Sequence, residues 1–209
     1  QIINYEPRST ATQGHLGRGT LMESFLVTGA FRAYRNPRSS SSLTAADRQH
    51  IERDFLLNSA VRLARHGAEA NQRIEHGKIA IYGGLLGGNW ALAGEAVYGP
   101  NGWLALLDDG FSADGVAQEG GVYHAGQLGA LAEAANELLA NGVNLYNARF
   151  KRVFDASVAV SPVGISPYCA DKFETAYRIW RDPLYLPTVH KYRERPSWTT
   201  VREGVIGLP

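Results

Sequence analysis

The sequence has little cysteine and no long apolar run, and each shortage excludes a class of protein. A single cysteine, Cys169, cannot form an internal disulfide or a cysteine-based zinc cluster. No stretch approaches the roughly 18 consecutive apolar residues of a membrane-spanning helix, and the first residues, QIINYEPRST, lack the basic-then-apolar order of a signal peptide. The histidines are scattered without the spacing of metal ligands. We therefore expect no metal site and no cofactor.

An excess of charge of one sign is also missing. The 209 residues include 21 basic and 20 acidic side chains, which leaves a formal net charge of +1. This balance argues against nucleic acid or a membrane surface as the main partner, although a local basic patch could still attract an anionic ligand. The sequence also lacks a P-loop, a dinucleotide-binding glycine motif and a G-x-S-x-G elbow, which removes the commonest nucleotide-binding and serine-hydrolase classes.

What remains is typical of a soluble globular protein built from helices. The length suits one domain, and 44% hydrophobic with 20% charged residues is an ordinary composition. Alternating β-branched residues are sparse apart from SVAVSPVGIS, whereas apolar residues recur at helical spacing and Thr44 with Asp47 forms a capping-box pattern. Helices are predicted over Thr20 to Arg35, Thr44 to Gly67, Arg73 to Leu86, Ala91 to Tyr98, Gly102 to Leu107, Val122 to Ala140, Tyr146 to Val158, Lys172 to Trp180 and Leu184 to Arg193.

Helices of this length joined by short turns predict an all-α protein of stacked antiparallel hairpins. A bundle, a solenoid and a toroid all satisfy that pattern. Among the 23 glycines, Gly83, Gly84, Gly87 and Gly88 cluster at the end of one predicted helix. Such a cluster indicates backbone turns and close approaches of the backbone to some other group.

The segment AEANQRIEHGK, residues 68–78, is the first polar cluster with candidate site residues. Asn71, Gln72, Arg73 and His76 together offer two amides, a guanidinium fork and an imidazole, which could hold an anionic group. An asparagine turn of this kind more often serves capping and solvation. Both interpretations remain open from the residues alone.

The second cluster lies where a glycine-rich loop enters the helix predicted from Val122. Tyr123 falls in the first turn, where the helix dipole favours negative charge, so it could transfer protons or simply pack beneath the loop. Asp114 and Glu119, in the loop itself, could be a glycosidase pair or ordinary solvated carboxylates.

Three segments in order resemble one enzyme family. The stretch AVYGPNGWLALLDDGFSADGVAQEGGVYHAGQLGALAEAA, the preceding LTAADRQHIERDFLLNSAVRLARHGAEANQR and the following ARFKRVFDASVAVSPVGISPYCAD are similar to heparinase II/III-like, alginate-lyase-like polysaccharide lyases. The resemblance covers roughly Leu16 to Leu208. It implies an (α/α) toroid of helical hairpins, one domain over residues 1–209, that cleaves an acidic, uronic-acid-containing polysaccharide by β-elimination.

The resemblance also implies roles for particular residues. Asn71 matches an asparagine that neutralises the uronate carboxylate, and Tyr123 matches the catalytic tyrosine that transfers the proton. Gln72 stands where many relatives have histidine, Gly121 replaces a serine, and Asp171 falls near an Asn-Asp motif. The expected catalytic residues are Asn71 and Tyr123, and the expected substrate-binding residues are Gln72, Arg73, His76, His124, Glu119 and Trp90.

Lyases of this family usually continue into a β-sandwich that has no counterpart in this chain, so the toroid is expected to be incomplete. A missing remainder of the polypeptide, a second chain or a homo-oligomer would then cover its open edge. A periplasmic or secreted location is expected for an enzyme with this substrate. Two alternatives are a glycoside hydrolase using Asp114 and Glu119, and a non-catalytic glycan-binding domain in which Tyr123, Trp90 and Trp103 stack on sugars.

Overall fold

The computed structural model describes residues 20–65, 70–160 and 172–193. Every regular element within these ranges is a helix, and the one β-type pairing is an isolated antiparallel bridge between Phe111 and Ala117. The predicted all-α class is therefore confirmed. None of the described helices is long and apolar enough to cross a membrane.

The described residues form ten α-helices and belong to two compact units. One unit extends to Ala105 and the other begins at Leu106. Residues His50–Leu57 are π-helical, and two 3₁₀ turns cover Pro37–Ser39 and Pro183–Tyr185. The α-helices are α1 Thr20–Arg35, α2 Ala45–Gln49, α3 Asn58–Arg65, α4 Ala70–Leu86, α5 Trp90–Tyr98, α6 Trp103–Asp109, α7 Gly121–Ala140, α8 Ala148–Val160, α9 Lys172–Trp180 and α10 Leu186–Arg193.

The capping box predicted at Thr44 is present. The Thr44 hydroxyl accepts a hydrogen bond from the Asp47 backbone N–H at 3.1 Å, and the Thr44 N–H donates to the Asp47 carboxylate at 2.9 Å. The hydrogen bond from the Thr44 hydroxyl also lowers the pKa of Asp47. The helix that starts here runs on to Arg65, but its middle, His50–Leu57, is π-helical. Hydrophobic spacing predicted one continuous α-helix here and did not predict the π segment.

The second unit is organised around an aromatic core. Phe154 of α8 packs against Phe150, Phe173 and Trp180 with ring centroids 5.0, 5.1 and 5.4 Å away. Tyr185 is fully buried in the same cluster and donates its hydroxyl to Asp155 at 2.6 Å. The apolar stripe predicted on α7 is confirmed, since all its members are buried: Leu128, Leu131, Ala135 and Leu138.

The buried face of α1 differs from the one that its apolar residues suggest. The sequence places Leu21, Phe25, Ala30 and Ala33 near one face, yet Phe25 is 48% exposed. The buried face instead follows Ser24, Val27, Phe31 and Tyr34. Phe31 stacks on Tyr82 of α4 with ring centroids 3.9 Å apart, which fixes this face of α1 against α4.

Helix α4 is the central element of the first unit and packs on α1, α3, the π segment and α5. Its glycines permit this close packing, as their clustering predicted. A Cβ on Gly83 would lie 2.3 Å from the Ala60 Cβ and 2.9 Å from the Leu56 carbonyl oxygen. A Cβ on Gly84 would lie 2.9 Å from the Ala93 nitrogen, at the contact with α5.

We expect Gly83→Ala to lower the free energy of unfolding, because the added methyl group must displace the backbone at Leu56. Overpacking of this kind costs about 1–3 kcal/mol. Gly77→Ala, in the same helix, is the matched control, since no atom lies within 4 Å of its added Cβ. That change should raise stability by up to about 1 kcal/mol through helix propensity. Equal effects of the two substitutions in urea unfolding would contradict the packing assigned to Gly83.

Candidate functional site

A pocket of about 360 Å³ lies in the first unit, where residues of α3, α4 and α5 meet. Two of the predicted substrate-binding residues, Arg73 and His76, line it from α4. They lie three positions apart and therefore share one face of the helix. The lining contains three further polar residues, Arg65, Glu95 and Asn101, and its other members are apolar or small.

The guanidinium of Arg73 is the most informative group in this pocket. Its Nε and Nη2 atoms are buried, and neither has a hydrogen-bond partner among the described residues. Leaving buried donors of a charged group unsatisfied costs more than the 1–3 kcal/mol typical of neutral groups. A ligand with a carboxylate or another oxyanion would satisfy both donors at once, because the guanidinium fork matches that geometry.

His76 is 3% exposed and lies beside Arg73 in the lining. Glu95 and Asn101 reach the pocket from α5 and from the turn after it. The pocket thus combines cationic, anionic and amide groups, a mixture suited to a hydroxylated ligand with a negative charge.

The other predicted residues of the first unit lie outside this lining. Asn71 and Gln72 are half-buried and belong to α4 itself, not to a turn before it. Trp90 opens α5 and is 55% exposed. The side chain of Asn89 accepts a hydrogen bond from the Leu92 N–H at 3.1 Å and so caps the helix at Trp90. The roles predicted for these three residues stay predictions.

In the second unit, the loop 110–120 is closely fixed to its neighbours. The Gln118 N–H donates to the Gly110 carbonyl at 3.0 Å, which closes the base of the loop. Gly115 has a φ of +84°, and a Cβ there would lie 2.3 Å from the carbonyl oxygen of Arg152 in α8. The Arg152 guanidinium donates to the Ala113 carbonyl at 3.0 Å. Only glycine can occupy position 115 without moving the loop away from α8.

Tyr123 is presented by this loop at the start of α7. Its N–H donates to the carbonyl of Gly120, the N-cap residue with a φ of +64°. The side chain is 50% exposed, so the tyrosine does not simply pack beneath the loop. The role of Tyr123 in proton transfer stays a prediction.

His124 is buried, and both of its ring nitrogens are hydrogen bonded. Nδ1 accepts from the Ala117 N–H at 3.0 Å, and Nε2 lies 2.6 Å from the Ser157 hydroxyl, which donates to the Val153 carbonyl at 2.9 Å. This chain of bonds requires the neutral tautomer with the proton on Nε2. Burial lowers the pKa of His124 below its ordinary value of 6.5. His124 therefore joins the loop to α8, and its predicted contact with substrate stays a prediction.

The two loop carboxylates are not equivalent. Glu119 accepts a hydrogen bond from the side-chain amide of Gln127, and the carbonyl oxygen of that buried amide has no partner among the described residues. Asp114 is exposed beside Gly115. Glu119 is thus fixed by a helix, whereas Asp114 occupies an ordinary turn position.

Several residues fall outside the predicted set or outside the described ranges. Trp103 is 3% exposed, so it does not offer a ring face to a sugar as the glycan-binding alternative requires. Asp171 and Cys169 lie outside the described residues.

Sequence reasoning missed Ser157, because nothing in the pattern of α8 links it to a histidine in another helix. Within the described ranges, no cluster of three or more histidine, cysteine or acidic side chains could hold a metal ion.

Comparison of this chain with protein-family models, with curated proteins and with solved structures finds no match.

The buried His124 makes stability depend on pH. As pH falls through 6.5, the unfolded chain takes up a proton at this residue that the folded chain resists, so the free energy of unfolding falls. The slope contributed by one such group is at most about 1.4 kcal/mol per pH unit. Urea unfolding between pH 7 and about pH 5 should show this slope in the wild type and a flatter one in His124→Gln.

Ser157→Ala is the control, because it removes the partner of the imidazole but keeps the titrating group. We expect it to lower stability at every pH while retaining the slope. An unchanged slope in His124→Gln would contradict the neutral, buried state assigned to this histidine.

Proposed function

We propose that this chain is the helical part of a polysaccharide lyase that cleaves an acidic, uronic-acid-containing polysaccharide by β-elimination. The observation that carries the proposal is Arg73, a residue of the pocket lining whose buried guanidinium donors have no partners among the described residues. A uronate carboxylate is the anionic group that these donors would bind. The resemblance to heparinase II/III-like lyases supports the same substrate class.

The chemistry explains why a carboxylate must be held. In β-elimination, a base removes the proton from C5 of the uronic acid, and the electron pair of that C–H bond forms the C4–C5 double bond. The bond from C4 to the glycosidic oxygen breaks, and the departing oxygen takes up a proton, so no water is consumed. The C5 proton is weakly acidic beside a charged carboxylate. Donors from Arg73 and the Asn71 amide would stabilise the enolate-like transition state as charge develops on it.

Tyr123 is assigned the proton transfer. Its side chain is exposed, while its backbone is anchored through Gly120 and through the neighbouring His124. A phenolate at this position would take the C5 proton, and the resulting hydroxyl would return a proton to the departing oxygen. Glu119, held by Gln127, would shape the loop that carries the tyrosine.

The finer architecture belongs to the same proposal. We assign the helices to an (α/α) toroid of hairpins that is incomplete in this chain. Support comes from α1, where Met22, Phe25 and Leu26 are about half exposed at helical neighbour positions. An apolar stripe of this kind suits coverage by a missing remainder of the polypeptide, a second chain or another copy. An extracellular polysaccharide as substrate favours a periplasmic or secreted location.

A non-catalytic glycan-binding domain is the second candidate, because α5 carries two exposed aromatic residues. Trp90 is 55% exposed and Tyr98 is 66% exposed. Rings of this kind bind the apolar faces of sugars. The products separate the two functions: elimination creates a C4–C5 double bond that absorbs in the ultraviolet, and binding alone creates none.

Tyr123→Phe should abolish elimination and leave folding and glycan binding largely intact. Proton transfer by a positioned group typically contributes about 10²–10⁴ in rate. The assay follows the ultraviolet band of the unsaturated product over a panel of uronic-acid polysaccharides. Tyr98→Phe, which removes the same hydroxyl from an exposed tyrosine of α5, should turn over like the wild type. Turnover at the wild-type rate by Tyr123→Phe would refute the assignment.

The two carboxylate-binding residues should differ in their kinetic effects. Asn71→Ala removes a donor needed mainly as charge develops, so it should lower kcat by about 10²–10³ with little change in KM. Arg73→Gln removes a cation that already binds the ground-state carboxylate, so it should raise KM as well as lower kcat/KM. Arg178→Gln, an exposed change on α9, is the control. An unchanged kcat/KM in Arg73→Gln would contradict the proposal that the Arg73 pocket binds the substrate carboxylate.

A further inference from the structure

A second concave surface of the first unit lies apart from the pocket around Arg73. It has a volume of about 920 Å³ and lies between the end of α1 and the segment that runs from α2 into the π helix. We call it the arginine groove, after the four arginines that line it: Arg35, Arg38, Arg48 and Arg53.

The lining of the arginine groove is strongly positive. Glu52 is its one acidic residue, which leaves three net positive charges in a chain whose total is +1. The Glu52 Oε1 already accepts hydrogen bonds from the Tyr34 hydroxyl and from Arg38 Nε, both at 2.8 Å. Burial raises the pKa of Tyr34 to about 12, so this tyrosine donates as a neutral phenol. The negative charge of Glu52 is therefore engaged within the wall of the groove.

Two arginines of the groove, Arg48 and Arg53, take part in no salt bridge within the described residues. Arg48 donates to the Ser40 carbonyl at 3.2 Å, a neutral acceptor, and its charge also helps to lower the pKa of the neighbouring Asp47. Arg53 is exposed, and no salt bridge is found for it within the described part of the chain. Mutually repelling guanidiniums in one concavity are stabilised by an anionic ligand with several charges.

The chemistry of the lining restricts that ligand. Planar guanidinium forks bind oxyanions through two parallel hydrogen bonds. The groove is otherwise lined by small, hydroxyl and amide residues, and no aromatic ring is among them. Proteins that bind single-stranded nucleic acids combine positive charge with aromatic rings on which bases stack. A hydrophilic polyanion without bases fits this lining better.

The place of the groove along α4 indicates how such a ligand would lie. Gly87, directly after α4, lines the arginine groove, whereas Arg73 lines the other pocket near the start of that helix. These positions are separated by about 20 Å along the helix axis. A ligand that reaches both must be an extended chain.

We propose that the arginine groove is a second binding site for the acidic polysaccharide, holding oxyanion groups of the chain several sugars away from the point of cleavage. The identity of the ligand rests on the proposed function, but the existence of an anion site does not. The groove would hold long substrates and contribute little to the binding of short ones.

Calorimetry with a defined oligogalacturonate tests this proposal, with a neutral oligosaccharide and a single-stranded oligonucleotide of the same length as comparison probes. The variant Arg48→Gln/Arg53→Gln should bind the oligogalacturonate at least about tenfold more weakly than the wild type, since two charge-assisted contacts are lost. Arg32→Gln, an exposed change on α1 outside the groove, should bind normally. The kcat on a short substrate should be unchanged in both variants.

Unchanged affinity in the double variant, equal binding of the neutral oligosaccharide, or preference for the oligonucleotide would each overturn the proposal. If the double variant unfolds, the single change Arg53→Gln replaces it, because this residue is exposed. Loss of binding in the variant, with no ultraviolet-absorbing product from the wild type on any uronate, would support the groove and refute the lyase. Elimination that depends on Tyr123, with intact binding in the variant, would support the lyase function and overturn the groove as a binding site.

Discussion

The hydrogen bonds of the His124 imidazole are the interaction on which the candidate site of the second unit depends. One ring nitrogen holds the loop at Ala117, and the other holds α8 at Ser157. Because Nδ1 can accept from the Ala117 N–H only when the ring is neutral, the neutral state is the one that holds the loop, the start of α7 and α8 together. The exposed Tyr123 directly precedes His124 in the chain. A reactive side chain on a rigid backbone is what a proton-transfer site requires.

The first unit depends instead on close packing around α4. Glycines at positions 83 and 84 let α3 and α5 approach α4 closely. Residues of these three helices line the Arg73 pocket. Burying guanidinium donors without partners costs free energy, and the favourable packing around α4 offsets that cost. If the proposed function is right, stability and ligand binding are opposed at Arg73, because an anion would satisfy the donors whose burial costs free energy in the unliganded fold.

The sequence predicted local features better than features formed between distant segments. Caps and apolar spacing predicted the start of the helix after Thr44 and the buried stripe of α7, because both signals lie within one helical turn or two. The predicted buried face of α1 was wrong, because the helix buries the side that carries Ser24 and leaves Phe25 48% exposed. Likewise, Ser157 approaches His124 only through the folded chain, and no local pattern specifies that contact.

The arginine groove shows why net charge is a poor guide to ligand class. Its arginines come from the end of α1, from the 3₁₀ turn that follows it and from the helix after Thr44, so no single segment carries the patch. A total charge of +1 is compatible with three positive charges in one concavity, because the compensating acids lie elsewhere. Salt screens exposed charges more than buried ones. If both proposed sites bind the same polyanion, rising ionic strength should therefore weaken ligand binding at the exposed groove before it weakens binding at the buried donors of Arg73.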